Sequence, residues 1–188
     1  MKTQYYTAST LDGFIATEDD SIEWLSTLSD VGKPEDASYP RFIADVGAIA
    51  MGSSTYEWIV RHAEQVRREL GKAWPYTQPA WVFTTRVLPP VEGADLRFVQ
   101  GDVREVHARM RQAAGEKNIW IMGGGDLAAQ FHEAGLLDEL IVGVASVTLG
   151  KGKPLFTRPL TGSELQLTSV QQMGSGMAEL RYAVRKAA

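Results

Sequence analysis

No cysteine occurs among the 188 residues, which removes disulfides, thiolate metal ligands and a cysteine nucleophile together and suits a reducing cytoplasm. Histidine is scarce as well. His62, His107 and His132 stand far apart, none has a metal-ligand partner at helical spacing, and no structural or catalytic zinc is expected. On helices with polar neighbours, all three are expected at the surface. No run approaches the roughly 20 apolar residues that cross a bilayer, and Met1-Lys2-Thr3-Gln4-Tyr5-Tyr6 lacks the apolar stretch of a signal peptide. The expectation is a cytoplasmic protein without a membrane partner. Positive charge is in short supply: 19 Lys and Arg stand against 23 Asp and Glu, for a net charge of −4. General nucleic-acid binding needs an excess of cations against phosphate and is not expected. A phosphorylated cofactor stays open, because helix N-termini and one or two cations can hold a phosphate on an acidic protein.

What is present alternates between strand and helix patterns over a length that suits one domain, residues 1–188. A first strand covers about Thr3 to Ser9, followed by an irregular loop through Ala16. The acidic stretch from Thr17 to Asp36 reads as a long loop, and loops of that length are often functional lids. Tyr39, Phe42, Ile43 and Val46 repeat at i, i+3, i+4 and i+7, which predicts a short helix near Tyr39 to Asp45, capped by Asp36 or Ser38 with Pro40 in its first turn. Further strands are expected at Ala48–Met51, Trp81–Thr84, Leu96–Val99 and Ile119–Met122. Helices are expected from Ser53, over Val103 to Ala114 with Asp102 as cap, and from about Leu127 to Glu133, closed by Gly135. The stretch from Arg61 to Lys72 reads as a solvated helical face. The C-terminal part is strand-like at Glu139–Leu149, Glu164–Met173 and Met177–Arg185, the last two forming a hairpin around Gly174-Ser175-Gly176. The sum is an α/β fold: a mixed, mainly parallel sheet with helices on both faces and a C-terminal antiparallel hairpin.

Three strand ends carry residues suited to an anion. Met51-Gly52-Ser53-Ser54-Thr55 and Met122-Gly123-Gly124-Gly125-Asp126 each take an apolar strand through glycine into a helix. Glycine lets backbone approach a ligand, and the helix start presents unpaired N–H groups. Thr84-Thr85-Arg86 ends a third strand with two hydroxyls and a guanidinium, a set that matches a phosphate monoester. In an open α/β sheet the ligand binds beyond the carboxyl ends of the strands, where all three motifs fall. The Rossmann fingerprint G-x-G-x-x-G after the first strand is missing. Arg86 in place of an acidic ribose clamp favours NADP over NAD.

In order, S-T-L-D-G-F-I-A, M-G-S-S-T-Y, T-T-R, I-M-G-G-G-D-L and T-L-G-K-G-K-P-L-F resemble the dihydrofolate reductase-like superfamily, and within it the branch of the bacterial riboflavin-biosynthesis reductase domain and its small stand-alone relatives. The likeness covers Lys2 to Val184. It implies a three-layer α/β/α dihydrofolate reductase-like fold and an NADPH-dependent oxidoreductase acting on a pterin- or aminopyrimidine-like heterocycle. Gly52, Ser53, Ser54 and Thr55, with Gly123, Gly124, Gly125, Asp126 and Leu127, would flank the NADPH pyrophosphate. Thr84, Thr85 and Arg86 would sit by the 2′-phosphate. Ala8 and Ile15 would lie against the nicotinamide, the loop from Thr17 would close over the site, and Gly150 to Phe156 would wall the substrate.

The substrate side leaves alternatives open. Reduction of a C=N bond leaves a nitrogen that must gain a proton, so an acid or ordered water is needed within reach. Alignment through Phe42 puts Ser38 at the position of the folate enzymes' carboxylate, whereas counting back from Gly52 puts Asp36 there. Asp36 is the preferred catalytic candidate, with helix capping as its other role. Trp24 and Phe42 are candidates to stack on a heterocycle, or to pack a lid. Asp12 is a candidate substrate contact, or a turn residue bonding its own backbone. Lys151 and Lys153 would suit an anionic tail. Set against catalysis is a sensor or scaffold that binds NADP(H) without turnover, and a nucleotide lacking nicotinamide is a third reading. Alternating apolar residues in the last two strands (Leu165, Leu167 and Val170; Leu180, Tyr182 and Val184) make that edge a candidate homodimer surface, or simply core.

Overall fold

The computed structural model describes residues 1–28 and 38–186. The chain begins with β1 (Thr3–Thr10), β2 (Phe14–Ala16) and a short 3-10 helix at Glu23–Thr27, then α1 (Ser38–Ala44), β3 (Val46–Gly52), α2 (Ser53–Arg61) and α3 (Ala63–Leu70). It continues through β4 (Ala80–Phe83), β5 (Leu96–Val99), α4 (Val103–Ala114), β6 (Asn118–Gly123) and α5 (Gly125–Glu133). It ends with β7 (Glu139–Ala145), β8 (Lys153–Pro154), β9 (Leu165–Met173) and β10 (Met177–Val184). Eight strands form one sheet in the order β5-β4-β3-β6-β1-β7-β10-β9, parallel from β5 to β7, with β10 antiparallel to both β7 and β9. β2 and β8 make a small antiparallel pair beside it. This is the α/β architecture expected, with the hairpin at its C-terminal edge.

The central strands read as unbroken apolar runs because both of their faces are covered. In β3, Ala48 and Ala50 face Val106 and Met110 of α4 and Phe131 of α5, while Ile49 and Met51 face Phe42 of α1 and Tyr56 and Ile59 of α2. Asp102 caps α4 by accepting from the Arg104 amide at 2.8 Å, and Gly135 follows α5 with φ +70°, both in their expected roles.

Several expectations are corrected. The helical face expected after Arg61 is present as a separate helix, α3. β7 stops at Ala145, because Leu11 donates to the Val147 carbonyl and Asp12 takes the Leu149 and Gly150 amides, drawing the chain out of the sheet. The β2–β8 pair lay within stretches read as loop. His107 is buried, with its Nε2 2.8 Å from the Thr3 hydroxyl, because its side of α4 faces the sheet. At the free edge, β9 leaves Leu167 and Val170 51% and 62% exposed.

Candidate active site

β3 and β6 are neighbours, and their register sets Met51 beside Gly123, so the two glycine turns lie side by side at the carboxyl edge of the sheet. A methyl group on Gly52 would lie 3.8 Å from both the Gly123 carbonyl oxygen and the Gly124 nitrogen, and one on Gly123 would meet the Thr55 hydroxyl at 3.2 Å. Gly123 has φ +154° and the Gly123–Gly124 peptide is cis. Gly52 and Gly124 are the N-caps of α2 and α5, and neither helix start has a side-chain cap among its hydrogen bonds. The amides of both first turns are therefore available to an anion.

These turns open on a cleft of about 680 Å³, within the range of small-molecule sites. Ala8, Ile15, Gly52 to Thr55 and Gly123 to Leu127 all line it. Ile15 stands between the two β2 residues paired to β8, and its Cδ1 lies 3.9 Å from where a Gly124 methyl would be. Gly125 has a different reason to be glycine: a methyl there would stand 2.4 Å from the Pro154 carbonyl oxygen and 2.6 Å from that of Leu155. Its job is close packing of α5 against the chain around β8. Asp126 puts a carboxylate near the helix start, but Gln130 and Thr157 donate to it at 2.8 and 3.3 Å and Arg158 stands 3.6 Å away.

Thr84, Thr85 and Arg86 lie on the surface beyond Phe83, the last residue of β4 and itself on the cleft wall. The Thr84 hydroxyl accepts from the Arg86 amide at 3.0 Å. The Arg86 guanidinium makes a two-pronged pair with Glu57 of α2, at 3.0 and 2.6 Å.

Of the substrate candidates, Asp36 lies outside the described residues. The structure puts Trp24 away from the cleft, buried at 7% exposure against Ala145, Met173 and Met177. Phe42 is beneath the cleft floor, edge-on to Tyr6 at 4.5 Å and to Trp120 at 5.4 Å. Asp12 fastens loops: it accepts from the Thr10 hydroxyl and from the Leu149 and Gly150 amides, at 3.0 and 2.7 Å. The Thr10 bond above all holds its carboxyl below the usual carboxylate range. Ser38 turns to Glu179 at 2.6 Å. Lys151 and Lys153 face Glu18 and Asp20 of the loop after β2, at 2.6 and 3.7 Å.

Two groups went unnoticed in the sequence. Tyr6, Tyr39, Tyr76 and Trp120 form an aromatic part of the cleft wall. Behind them Glu179, 1% exposed, accepts from the Tyr6 hydroxyl at 3.1 Å, from Ser38, and from Arg181 at 2.8 Å. The signal for this second group was in β10, where Glu179 and Arg181 share the inward face with Met177 at a spacing of two. Burial, then the Glu179 charge, pushes the Tyr6 phenol up, and burial does the same for Tyr39 and Tyr76.

The RibD C-terminal domain family matches residues 58–178. Over 181 residues the chain is 33% identical to the uncharacterized protein YwjB of Bacillus subtilis (strain 168), covering 96% of this chain and 97% of that one. A Shewanella sp. PV-4 crystal structure named for riboflavin biosynthesis superposes with a TM-score of 0.78 at 22% identity, covering 99% of this chain and 100% of that one. Dihydrofolate reductase from Enterococcus faecalis, solved with NADP(H), superposes with a TM-score of 0.63 at 14% identity, covering 99% and 97%. At these identities the two structures share the fold.

Proposed function

We propose that this chain, which belongs to the RibD C-terminal domain family, is an NADPH-dependent reductase that delivers hydride to a small heterocycle of pterin or aminopyrimidine type. The observation that carries this reading is the contact between the two glycine turns, which aims the first amides of α2 and α5 into one cleft. The residues fit the cofactor. A methyl on Gly52 would meet nothing closer than 3.8 Å, so the backbone there is bare and open to a bulky anion. The Enterococcus enzyme of the same fold was solved with NADP(H), which supports the assignment.

Gly52 to Thr55 and Gly123 to Leu127 hold the pyrophosphate, Arg86 with Thr84 and Thr85 meets the 2′-phosphate, and Ala8 and Ile15 border the nicotinamide. When bound, the cofactor supplies the hydride; the protein supplies orientation and exclusion of water. Asp20, Ile22 and Leu25 of the chain after β2 line the cleft, and Lys151–Glu18 and Lys153–Asp20 tie that stretch to the β8 region. Asp36 is one acid that the sequence offers for protonating the substrate, and a large loss of turnover in Asp36→Asn would favour it over the hydroxyls that line the cleft. A homodimer through the uncharged β9 edge belongs to the same reading, and a monomer in sedimentation velocity would contradict it.

Calorimetric titration of NADPH and NADH into the wild type and Arg86→Ala tests the assignment. Loss of a guanidinium–phosphate contact is expected to weaken NADPH about tenfold or more and NADH little, at roughly 1.4 kcal/mol per tenfold. Equal losses for both cofactors would contradict the 2′-phosphate role. A second reading is favoured by one observation: among the described residues, Asp20 and Asp126 are the carboxylates on the cleft wall, and both face cations. A sensor of this kind would bind NADPH without oxidising it whichever heterocycle is added.

A further inference from the structure

One part of the cleft wall is made of rings. Trp120 is fixed there by a hydrogen bond from its Nε1 to the Tyr6 carbonyl at 3.0 Å. Tyr39, Tyr76 and Phe42 meet its indole edge-on, at 6.2, 5.6 and 5.4 Å. These edge-to-face contacts hold the rings rigidly; Trp120 and Phe42 are buried by them, and the ring surface left for a planar ligand is that of Tyr6, Tyr39 and Tyr76.

Charge is nearly absent from this part. Among the described residues lining the cleft, Lys153 is the sole cation, and Asp20 stands 3.7 Å from it. Among the described residues of that wall, a phosphate or carboxylate tail would find no cation without an acidic neighbour, and a desolvated anion without a partner is strongly disfavoured. The polar atoms offered to a ring are hydroxyls. That of Tyr6 donates to Glu179, and that of Tyr76 reaches the Met122 sulfur at 4.0 Å and interacts with Tyr39. Tyr39, in the first turn of α1, also lines the cleft and at 42% is the most exposed of the three tyrosines.

We propose that this cleft reduces a flat, uncharged heterocycle bearing a conjugated C=N bond and no anionic tail, with the Tyr39 hydroxyl as proton donor. The proposal rests on the reductase reading above. The substrate carbon gains hydride from NADPH, the π pair moves to the ring nitrogen, and the nitrogen takes the Tyr39 phenolic proton. The resulting phenolate accepts a hydrogen bond from Tyr76 and regains its proton from water, so each turnover consumes one NADPH and one proton. Among the described residues, the titratable groups packed around Tyr39 are Tyr6 from β1 and Tyr76 from the segment before β4, with Glu179 and Arg181 of β10 beyond Tyr6. Burial keeps all three phenols protonated through neutral pH.

The test compares 6-methyl-7,8-dihydropterin with dihydrofolate, which share the reducible ring and differ in the anionic tail. Calorimetry with NADPH comes first, so that failure of cofactor binding, which sinks the reductase reading itself, is separated from failure of this proposal. With NADPH bound, kcat/KM for the methylpterin should exceed that for dihydrofolate about tenfold or more. Quenching of tryptophan fluorescence by 6-methylpterin, without cofactor, should show the same preference over folate. Tyr39→Phe should lower kcat about a hundredfold, the scale of a general acid, with NADPH affinity and melting temperature unchanged. The wild-type kcat should be level between about pH 6 and 9, because an ordinary carboxyl donor is already ionised above about pH 5 and its rate would fall as pH rises across that window. Equal or better use of dihydrofolate, no turnover of the methylpterin, a Tyr39→Phe rate near wild type, or a rate falling with pH would each overturn the proposal.

Discussion

Arg86 is paired before any ligand arrives. Glu57 holds both prongs of its guanidinium at 3.0 and 2.6 Å, and the two side chains are 52% and 37% exposed. A pair so solvated contributes at most about 1 kcal/mol to stability, but its carboxylate would sit beside a bound 2′-phosphate and repel it. Glu57→Gln is therefore expected to tighten NADPH several-fold, up to about tenfold, at 1.4 kcal/mol per tenfold, while leaving NADH and the melting temperature almost unchanged. Calorimetry of both cofactors checks it, and weaker NADPH binding would mean that Glu57 positions Arg86 instead. Arg86 could be picked out from T-T-R alone. Glu57 could not, because a single acid on a helix face says nothing about the strand end it will meet. Tyr39 misled in another way: it fits the apolar stripe with Phe42, Ile43 and Val46, yet it stands at the rim of the cleft while Phe42 goes beneath the floor.

Secondary-structure elements meet at two points that control the site. At Gly125, α5 approaches the chain around β8 so closely that a methyl would stand 2.4 Å from the Pro154 carbonyl oxygen. Gly125→Ala should force the two apart and lower stability by about 1–3 kcal/mol, the usual cost of overpacking. Gly52→Ala should leave the melting temperature close to wild type, since its new methyl meets nothing closer than 3.8 Å, and should weaken NADPH by crowding the pyrophosphate. Equal stability losses from the two would contradict their separate roles. The other point is His107, which fastens α4 to Thr3. Burial first, then Arg111, lowers its pKa in the fold, with Asp138 opposing and Lys186 adding to the shift. The neutral ring is thus favoured by folding. Its stabilisation is present above the unfolded histidine value of about 6.5 and is lost as pH falls through the lower folded value. Urea titrations at pH 7.5 and 5.5 should show wild type losing stability that His107→Phe, already weaker at pH 7.5, does not lose. A parallel decline in both proteins would refute it.

Across the whole molecule, local pattern and distant pairing were unequally legible. β5 and α4 fall on the expected residues, and β1, β3, β6 and the final hairpin within two residues at each end, because period and capping are written into adjacent positions. The two glycine turns were legible for the same reason. The β2–β8 pair, the end of β7 and the Tyr6–Glu179–Ser38 cluster depend on residues more than 130 positions apart, which one sequence without partners does not announce. The same long-range closure draws the motifs around Ala8, Gly52 and Gly123 into one cleft and moves Trp24 out of it. The central claim is that this cleft is an NADPH cradle. A crystal structure of the NADPH complex tests it most directly: the account predicts pyrophosphate oxygens within hydrogen-bond distance, about 2.7–3.2 Å, of amides in the first turns of both α2 and α5, and nicotinamide between Ala8 and Ile15. A dinucleotide bound elsewhere, or touching neither glycine turn, would contradict it.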